Sequence, residues 1–358
     1  MNEEIKPVLS ASDIVVEFTV RGRQLTAIRN VSLDLYPNET LAIVGESGSG
    51  KSVLTKSFVG MLEANGSVTN GKVIYRGENL LDIQNDAGWE KIRGSQIAVI
   101  FQDPMTSLNP ILTIGQQITE VIIKHRGLHY EEAREVAIKL MEEVGIHNAE
   151  KRFDEYPFQY SGGMRQRIVI AIALACRPKI LICDEPTTAL DVTIQAQILR
   201  LIKKLQKDYG YSIIFITHDL GVVANVADRV AVMYCGQVIE YGTVDDIFYD
   251  PRHPYTWGLL SSLPQLGVKD EPLYAITGTP PSLYDKIQGD AFAPRNPYAM
   301  RIDFEEEPPM FAVSNTHFAK TWLMDPRAPK VKPPVQVSGL HERMKEALIQ
   351  EEEREANV

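Results

Sequence analysis

A glycine-rich stretch, GESGSGKS at residues 45–52, constrains this chain more than any other feature of its sequence. It lies between a short apolar run, LAIV at 41–44, and a stretch with helical character that begins near Lys51. Glycine permits the backbone angles that turn successive N–H groups inward, and the N-terminus of the following helix adds its dipole. The sequence therefore predicts a strand–loop–helix unit that binds a nucleoside triphosphate.

The residues of this loop have separate expected roles. Lys51 is expected to reach the β- and γ-phosphates, and the Ser52 hydroxyl is expected to ligate Mg²⁺. The loop residues predicted to contact the nucleotide are Gly45, Glu46, Ser47, Gly48, Ser49, Gly50, Lys51, Ser52 and Val53.

A second apolar run ends in two carboxylates. Residues 180–185 read ILICDE, so that Asp184 and Glu185 follow four apolar residues. Taken alone, the pattern has even odds of being a capped strand end. Together with the phosphate loop it predicts that Asp184 holds Mg²⁺ indirectly. Glu185 occupies the next position and points differently, so it is expected to polarise a water aimed at the γ-phosphate.

The order of apolar patterns predicts a mixed α/β fold. Residues 13–44 read as β structure, whereas residues 110–159 repeat apolar residues at three and four and are mostly helical. Strands separated by helices imply a parallel sheet with crossovers. The later elements are expected as a helix at 162–176, a strand at 180–183, a helix at 193–208 and a strand at 212–217.

Proline marks a boundary near residues 245–250, because eight prolines fall between residues 251 and 297. We therefore predict a nucleotide-binding domain over residues 1–248, with a helical insert at about 104–177. A loop-rich appendage is predicted over 249–358, ending in a charged helical tail. His253, between prolines, is expected in a rigid turn with a satisfied imidazole.

Composition limits the partners. Lys and Arg number 37 against 47 Asp and Glu, and the net charge of −10 is a poor fit to general nucleic-acid binding. The longest apolar run, Ile168 to Cys176, falls well short of the roughly 18–20 residues that span a bilayer. Any membrane role is therefore expected to be peripheral. Cys176, Cys183 and Cys235 form no CxxC pair and are expected as reduced thiols in the core.

A second glycine pair precedes a long apolar helix. Ser161, Gly162 and Gly163 would place free N–H groups at its N-terminus, which suits a second phosphate contact. For SGG alone, a plain helix cap is favoured by about four to one.

With this segment included, residues 10–250 resemble the ATP-binding cassette (ABC) ATPases. YSGGM at 160–164 is similar to their signature motif, usually written LSGGQ. Gln102 in FQDP resembles the Q-loop glutamine, Asp191 in TTALD the D-loop aspartate, and His218 in ITHD the switch histidine. Phe18 occupies the place of the aromatic residue that stacks on adenine, and a core residue is its equal alternative.

The resemblance implies a fold class and an activity. The fold is an α/β P-loop ABC ATPase core with an N-terminal antiparallel β subdomain, a helical insert subdomain and a loop-rich C-terminal appendage. Stretches such as FQDPMTSLNP and PRHPYTWGLLSSLP are similar to the oligopeptide and dipeptide permease subfamily, and most to the first ATPase subunit of Gram-positive oligopeptide permeases. An ATP-hydrolysing subunit that energises oligopeptide uptake is therefore expected.

The resemblance also implies partners and further site residues. Two ATPase subunits dimerise head to tail, so that the signature loop of one covers the γ-phosphate held by the other. The implied partners are a second paralogous ATPase, two transmembrane permease subunits and an external peptide-binding lipoprotein, at the cytoplasmic side of the cell membrane. The implied catalytic residues are Glu185, His218, Gln102 and Lys51. ATP contacts are implied for Tyr160, Ser161, Gly162, Gly163, Met164 and Asp191, and Mg²⁺ contacts for Ser52, Gln102 and Asp184.

One departure from the subfamily concerns iron. Several relatives carry a cysteine cluster after the cassette, where this chain has Asp290, Asn296 and Asp303. Because iron–sulfur clusters need thiolate ligands, none is expected here. Two rival functions are a soluble ABC protein of DNA repair or ribosomes and a regulatory subunit with a dead site. The single cassette, the lack of CxxC and the short helical insert disfavour the first. The second is disfavoured by intact Lys51, Asp184, Glu185 and His218.

Overall fold

The computed structural model describes residues 6–102, 104–188, 190–263 and 276–338, without the side chains of 104 and 105. The strands are β1 Leu9–Val20, β2 Arg23–Leu35, β3 Thr40–Val44, β4 Gly66–Tyr75, β5 Glu78–Asn79, β6 Ile97–Ile100, β7 Ile180–Asp184, β8 Ser212–Thr217, β9 Arg229–Tyr234, β10 Gln237–Thr243, β11 Phe311–Ala312 and β12 Phe318–Ala319. The helices are α1 Lys51–Phe58, α2 Asp86–Glu90, α3 Pro104–Ser107, α4 Ile114–Arg126, α5 Tyr130–Glu143, α6 Ala149–Arg152, α7 Gly162–Leu174, α8 Val192–Tyr209, α9 Leu220–Val226, α10 Val244–Tyr249 and α11 Pro254–Ser261.

The N-terminal strands form an antiparallel sheet in the order β2-β1-β4-β5. The β1–β2 hairpin turns at Arg21 and Gly22, whose φ angles of 51° and 76° match the mirror-image turn that suits twisted strands. Ile14 and Val16 point inward, where they share a core with Phe58 of α1. The predicted N-terminal β subdomain is confirmed.

The larger sheet has the order β11-β12-β10-β9-β3-β8-β7-β6 within the described residues. Strands β9, β3, β8, β7 and β6 run parallel to one another, whereas β10 is antiparallel to β9. Every residue of β3, β7 and β8 is buried, as expected for strands covered on both faces. Because these strands are parallel, their carboxyl ends meet at one edge of the sheet. The predicted α/β class with crossover helices is confirmed.

Helices α3 to α7 follow β6, and α4 to α7 pack in a hydrophobic cluster that extends to α8 and to β6, β7 and β8 of the large sheet. Ile118 and Ile122 of α4 pack with Ala137 and Met141 of α5 in this cluster. Thr113 caps α4 in a reciprocal capping box with Gln116, which fixes where the helix starts. The cluster also includes residues of α7, the helix that follows the SGG segment, and we refer to it as the helical core.

The chain after β10 returns to the large sheet. Strand β12 pairs with β10 through Glu240–Ala319 and Tyr241–Phe318, so the proline-rich segment supplies part of the sheet. Glu240 is fully buried, and its carboxylate accepts hydrogen bonds from the backbone of Arg252 and His253 and lies 2.9 Å from His317 Nε2. The predicted helical tail at 341–358 lies outside the described residues.

For His253 the predicted turn is present, but the predicted satisfied imidazole is wrong. Its Nδ1 accepts a hydrogen bond from the Tyr255 N–H, as in a rigid turn, but its Nε2 has no partner in the described structure. Burial lowers the pKa of His253 to about 3, which keeps the ring neutral at physiological pH. The imidazole is therefore a buried side chain with one unpaired nitrogen.

Candidate nucleotide site

The phosphate loop lies at the carboxyl end of β3 and runs directly into α1. Gly45 has a φ of 148°, and a Cβ there would lie 2.2 Å from the carbonyl oxygen of Met233, so only glycine fits. The Ser49 carbonyl accepts a hydrogen bond from Gly236, in the turn between β9 and β10. The first N–H groups of α1 have no acceptor within the helix and face the end of the loop. The local fold predicted from the motif is therefore present.

Lys51 is enclosed by the loop that precedes it. Its ammonium donates to the carbonyl oxygens of Gly45 and Glu46 at 2.8 and 3.0 Å, and the residue is only 5% exposed. Burial lowers the pKa of Lys51. The carbonyl contacts hold the ammonium over the loop, where it can exchange them for phosphate oxygens.

Asp184 and Ser52 meet at the edge of the cavity. The Ser52 hydroxyl donates to Asp184 Oδ1 at 2.9 Å, joining the start of α1 to the end of β7. Burial raises the pKa of Asp184, and the hydrogen bond from Ser52 opposes that shift. These oxygen donors suit Mg²⁺, which is typically bound by few protein ligands together with waters and substrate phosphates. Within the described residues, no group of three or more His, Cys, Asp or Glu is placed to hold a metal ion by itself.

Three side chains contact the Glu185 carboxylate, and we call this group the carboxylate hub. Its carboxylate accepts from Gln102 Nε2 at 3.0 Å and from Thr188 Oγ1 at 2.9 Å, and it lies 3.2 Å from His218 Nδ1. Its φ of 47° is a left-handed conformation that a side chain rarely adopts, held by a backbone bond to Ile216. The left-handed backbone and these contacts therefore fix the direction of the carboxylate, which is not a free group at a strand end.

Of these side chains, all but Asp184 line one cavity of about 880 Å³. Phe18 forms part of its wall and is half-buried, which places its ring in the cavity while it also packs against the N-terminal core. The lining residues that the sequence did not single out are Val20, Leu25, Ala27, Thr188 and Leu283. The first three could have been found from the alternation of residues along β1 and β2, and Thr188 from its position in the turn after Glu185. No local sequence pattern indicates that Leu283 lines the cavity.

The signature segment lies elsewhere. Ser161 caps α7 by accepting from the Met164 N–H at 3.4 Å, and Ser161 and Gly162 are exposed. Gly163 is buried against Ile194 of α8. None of residues 160–164 lines the 880 Å³ cavity. One chain therefore carries the two glycine loops on separate surfaces.

Tyr160 and Asp191 have structural partners in this chain. The Tyr160 hydroxyl donates to the Arg152 carbonyl at 2.6 Å, the residue is 2% exposed, and burial raises its pKa to about 12. Its side chain is in the helical core, so an ATP contact would have to come from its backbone. Met164 is half-buried against the same core, and exposed Asp191 caps α8 through Ile194.

Comparison with known proteins agrees with this geometry. Residues 28–188 match the ABC transporter family, and residues 239–302 match the C-terminal region of oligopeptide/dipeptide transporters. The dimeric structure of a post-hydrolysis state of the ATP-binding cassette MJ0796 bound to ADP and Pi aligns with a TM-score of 0.59 and 29% identity, over 66% of this chain and 98% of that one. The chain is thus an ABC ATPase, as its motifs predict.

The family follows from closer relatives. The chain is 64% identical to the oligopeptide transport ATP-binding protein AmiE of Streptococcus pneumoniae, over 97% of this chain and 98% of that protein. It is 57% identical to the dipeptide transport ATP-binding protein DppD of Lactococcus lactis, over 91% and 93%, and 57% identical to the oligopeptide transport ATP-binding protein OppD of Bacillus subtilis, over 91% and 92%. It belongs to the family of oligopeptide and dipeptide transport ATP-binding proteins. In the part of the chain that the structure describes, every helix is too short or too polar to cross a membrane.

Proposed function

We propose that this chain hydrolyses ATP to energise the uptake of oligopeptides through a membrane ABC importer. The position of Lys51 and Glu185 in one cavity carries this proposal, because it joins phosphate binding to a carboxylate able to act on water. Asp184 is connected to the same cavity through its hydrogen bond from Ser52. The names of the relatives, which are oligopeptide and dipeptide transport proteins, support the substrate class.

In the proposed reaction, Lys51 and the N–H groups of the loop hold the β- and γ-phosphates of ATP. Glu185 orients and polarises the attacking water, with His218 and Gln102 fixing its carboxylate. Mg²⁺ would be held by Ser52 and Asp184, with Gln102 nearby, and would neutralise charge on the phosphates. Phe18 is proposed to stack on the adenine.

The signature residues are proposed to serve a second chain. Ser161 to Met164 and Asp191 lie away from the cavity of their own chain, so they would complete the cavity of a partner docked head to tail. The likeness to a dimeric cassette that holds ADP and Pi supports this arrangement. The partner is proposed to be a second, paralogous ATPase, which makes the dimer a heterodimer.

The assembly is proposed to work at the cytoplasmic side of the cell membrane. Residues 1–248 would form the ATPase domain, with the helical insert at 104–177 docked on two transmembrane permease subunits. An external peptide-binding lipoprotein would deliver the peptide. Residues 249–358 are proposed as the peptide-permease-type appendage, in agreement with the family match over 239–302.

The test is transport by the complete complex in proteoliposomes. With the peptide-binding protein and a labelled oligopeptide outside and ATP at the ATPase face, wild-type chain is expected to accumulate peptide. Glu185→Gln is expected to abolish accumulation, whereas Asp208→Asn, which removes an exposed carboxylate at the end of α8, is expected to leave it unchanged. ATP hydrolysis without peptide accumulation would contradict the substrate class, and full transport by Glu185→Gln would contradict the site.

A further inference from the structure

The phosphate loop contains a carboxylate in an unfavourable place for an anionic ligand. Glu46 is the second residue of the loop, lines the same cavity as Lys51, and its side chain is 30% exposed. A free carboxylate there would repel a bound triphosphate and oppose Lys51. A chain that binds ATP at this loop therefore needs a means of neutralising Glu46.

Arg295, far along the chain, supplies a cation to Glu46. Its two terminal nitrogens donate to the two Glu46 carboxylate oxygens at 2.7 and 3.0 Å, a bidentate geometry. Its Nε donates to the Thr277 carbonyl at 3.1 Å and its Nη1 lies 3.3 Å from the Tyr234 hydroxyl. The side chain is only 5% exposed. Each nitrogen of the guanidinium is thus engaged, so its position is fixed.

A second residue of the same segment holds the backbone of the loop. The Glu46 N–H donates to the hydroxyl of Tyr255, a fully buried residue of α11, at 2.8 Å. The Tyr255 ring packs on Tyr234 and Phe292, with centroid distances of 4.7 and 5.4 Å. The space behind the loop, closed partly by Pro280, is a cavity of only about 30 Å³. Both polar ends of Glu46 are therefore held by residues that follow the cassette.

We infer that the segment after the cassette is part of the phosphate cradle, and that Arg295 is a positioning residue for ATP. Arg295 neutralises Glu46 and, with Tyr255, holds the loop in the conformation that binds phosphate. The inference rests on the proposed nucleotide site, and it assigns to this part of the appendage a direct effect on nucleotide affinity.

The experiment measures the Kd for ATP of the full chain, by displacement of a fluorescent ATP analogue, at low and high salt. Arg295→Gln is expected to weaken binding about tenfold, because removing one partner of a buried pair leaves the other charge unpaired. The loss should shrink at high salt, because salt screens the exposed carboxylate from the phosphates. Adding Glu46→Gln to Arg295→Gln is expected to restore most of the affinity.

The matched control is a second arginine–carboxylate pair that lies outside the loop. Arg229 and Glu39 are 3.1 Å apart, with side chains 18% and 12% exposed. Arg229→Gln is expected to lower thermal stability but to leave the Kd for ATP unchanged. This comparison separates an effect on the loop from a general loss of stability.

The possible results separate the inference about Arg295 from the proposed nucleotide site on which it rests. If the wild-type chain does not bind ATP, the proposed nucleotide site is wrong. If wild type binds and Arg295→Gln binds equally well, or if the double variant is as weak as Arg295→Gln, the inference is wrong. Should Arg295→Gln fail to fold, Tyr255→Phe keeps the ring and removes the hydroxyl. It is expected to weaken ATP binding about threefold, the value of a modest hydrogen bond, and unchanged affinity would overturn the inference.

Discussion

The two glycine loops of this chain both lead into a helix, but they differ in how that helix is capped and in their surroundings. Each opens a helix, α1 after Gly50 and α7 after Ser161. The phosphate loop surrounds a buried lysine and is tied to the β9–β10 turn and to α11. The signature loop carries an exposed serine that caps its own helix, and its neighbours are the helical core and α8.

The difference shows why a helix N-terminus alone does not define a binding site. The phosphate loop faces Glu185 across a cavity and is joined to Asp184 through Ser52, so this site can both hold a triphosphate and act on it. The signature loop offers N–H groups at an exposed surface and lines no part of that cavity. Its proposed role is to complete the cavity of another chain.

The largest expected effect comes from changing the carboxylate hub, which only the phosphate loop has opposite it. Glu185→Gln should lower the ATPase rate about a thousandfold, within the range for loss of a general base, while ATP still binds because the cradle is intact. The complex should then accumulate in a closed, ATP-bound dimer. Steady-state hydrolysis and size-exclusion chromatography with ATP are the measurements.

The matched control is Asp208→Asn, which should keep the wild-type rate. A Glu185→Gln complex that turns over ATP at the wild-type rate would remove the hub from the reaction. The site would then be a binding site whose base lies elsewhere, and the contrast between the two loops would lose its chemical meaning.

The second test of the difference between the two loops concerns Lys51, which belongs to the phosphate loop. Lys51→Ala should weaken ATP binding about a hundredfold, because it removes a charge-assisted contact in a buried site. Lys56→Ala, on the same helix but paired with Glu63 at 2.7 Å, should bind ATP normally. Equilibrium binding to the isolated chain checks both. Equal affinities for wild type and Lys51→Ala would show that the loop does not hold the phosphates.

The signature loop is tested through its partner. Ser161→Arg should lower photolabelling of the second ATPase by an azido-ATP about tenfold, because a long cation would obstruct the docked surface. Labelling of this chain should persist, since its own cavity is unchanged. Gln84→Arg, at an exposed position before α2, is the control. Loss of label from this chain instead would place Ser161 in its own site.

How much the sequence could predict depends on distance along the chain. The strand before Gly45, the loop and the helix at Lys51 were predictable because neighbouring residues set them. The left-handed backbone of Glu185 and its bond to Thr188 were not, because the strain is imposed by the adjoining strand. Leu283 reaches the cavity and Arg295 reaches the phosphate loop only through the tertiary fold, and no local pattern marks such contacts.

The same limit applies to two features that the sequence did not reveal. Tyr160 stands in the signature motif, but its hydroxyl finds the Arg152 carbonyl, so the ring is buried in the core. The described chain after residue 276 is mostly loop, as the prolines predict, but no pattern indicated that β12 pairs with β10 beside the buried Glu240–His317 pair. In both cases a contact that no sequence pattern marks decided the outcome.

The smallest expected effect concerns Phe18, whose two alternatives make different predictions. If the ring stacks on adenine, Phe18→Ala should weaken ATP binding about fivefold, at the low end for base–aromatic stacking, and Phe18→Trp should preserve affinity. If Phe18 serves only the core, both variants should lower the melting temperature of the nucleotide-free chain without changing the Kd for ATP. Val68→Ala, half-buried in the same N-terminal cluster but absent from the cavity wall, is the control for stability alone. Unchanged ATP affinity in Phe18→Ala would assign the ring to the core and leave the loop side of the cavity to bind ATP through its phosphates.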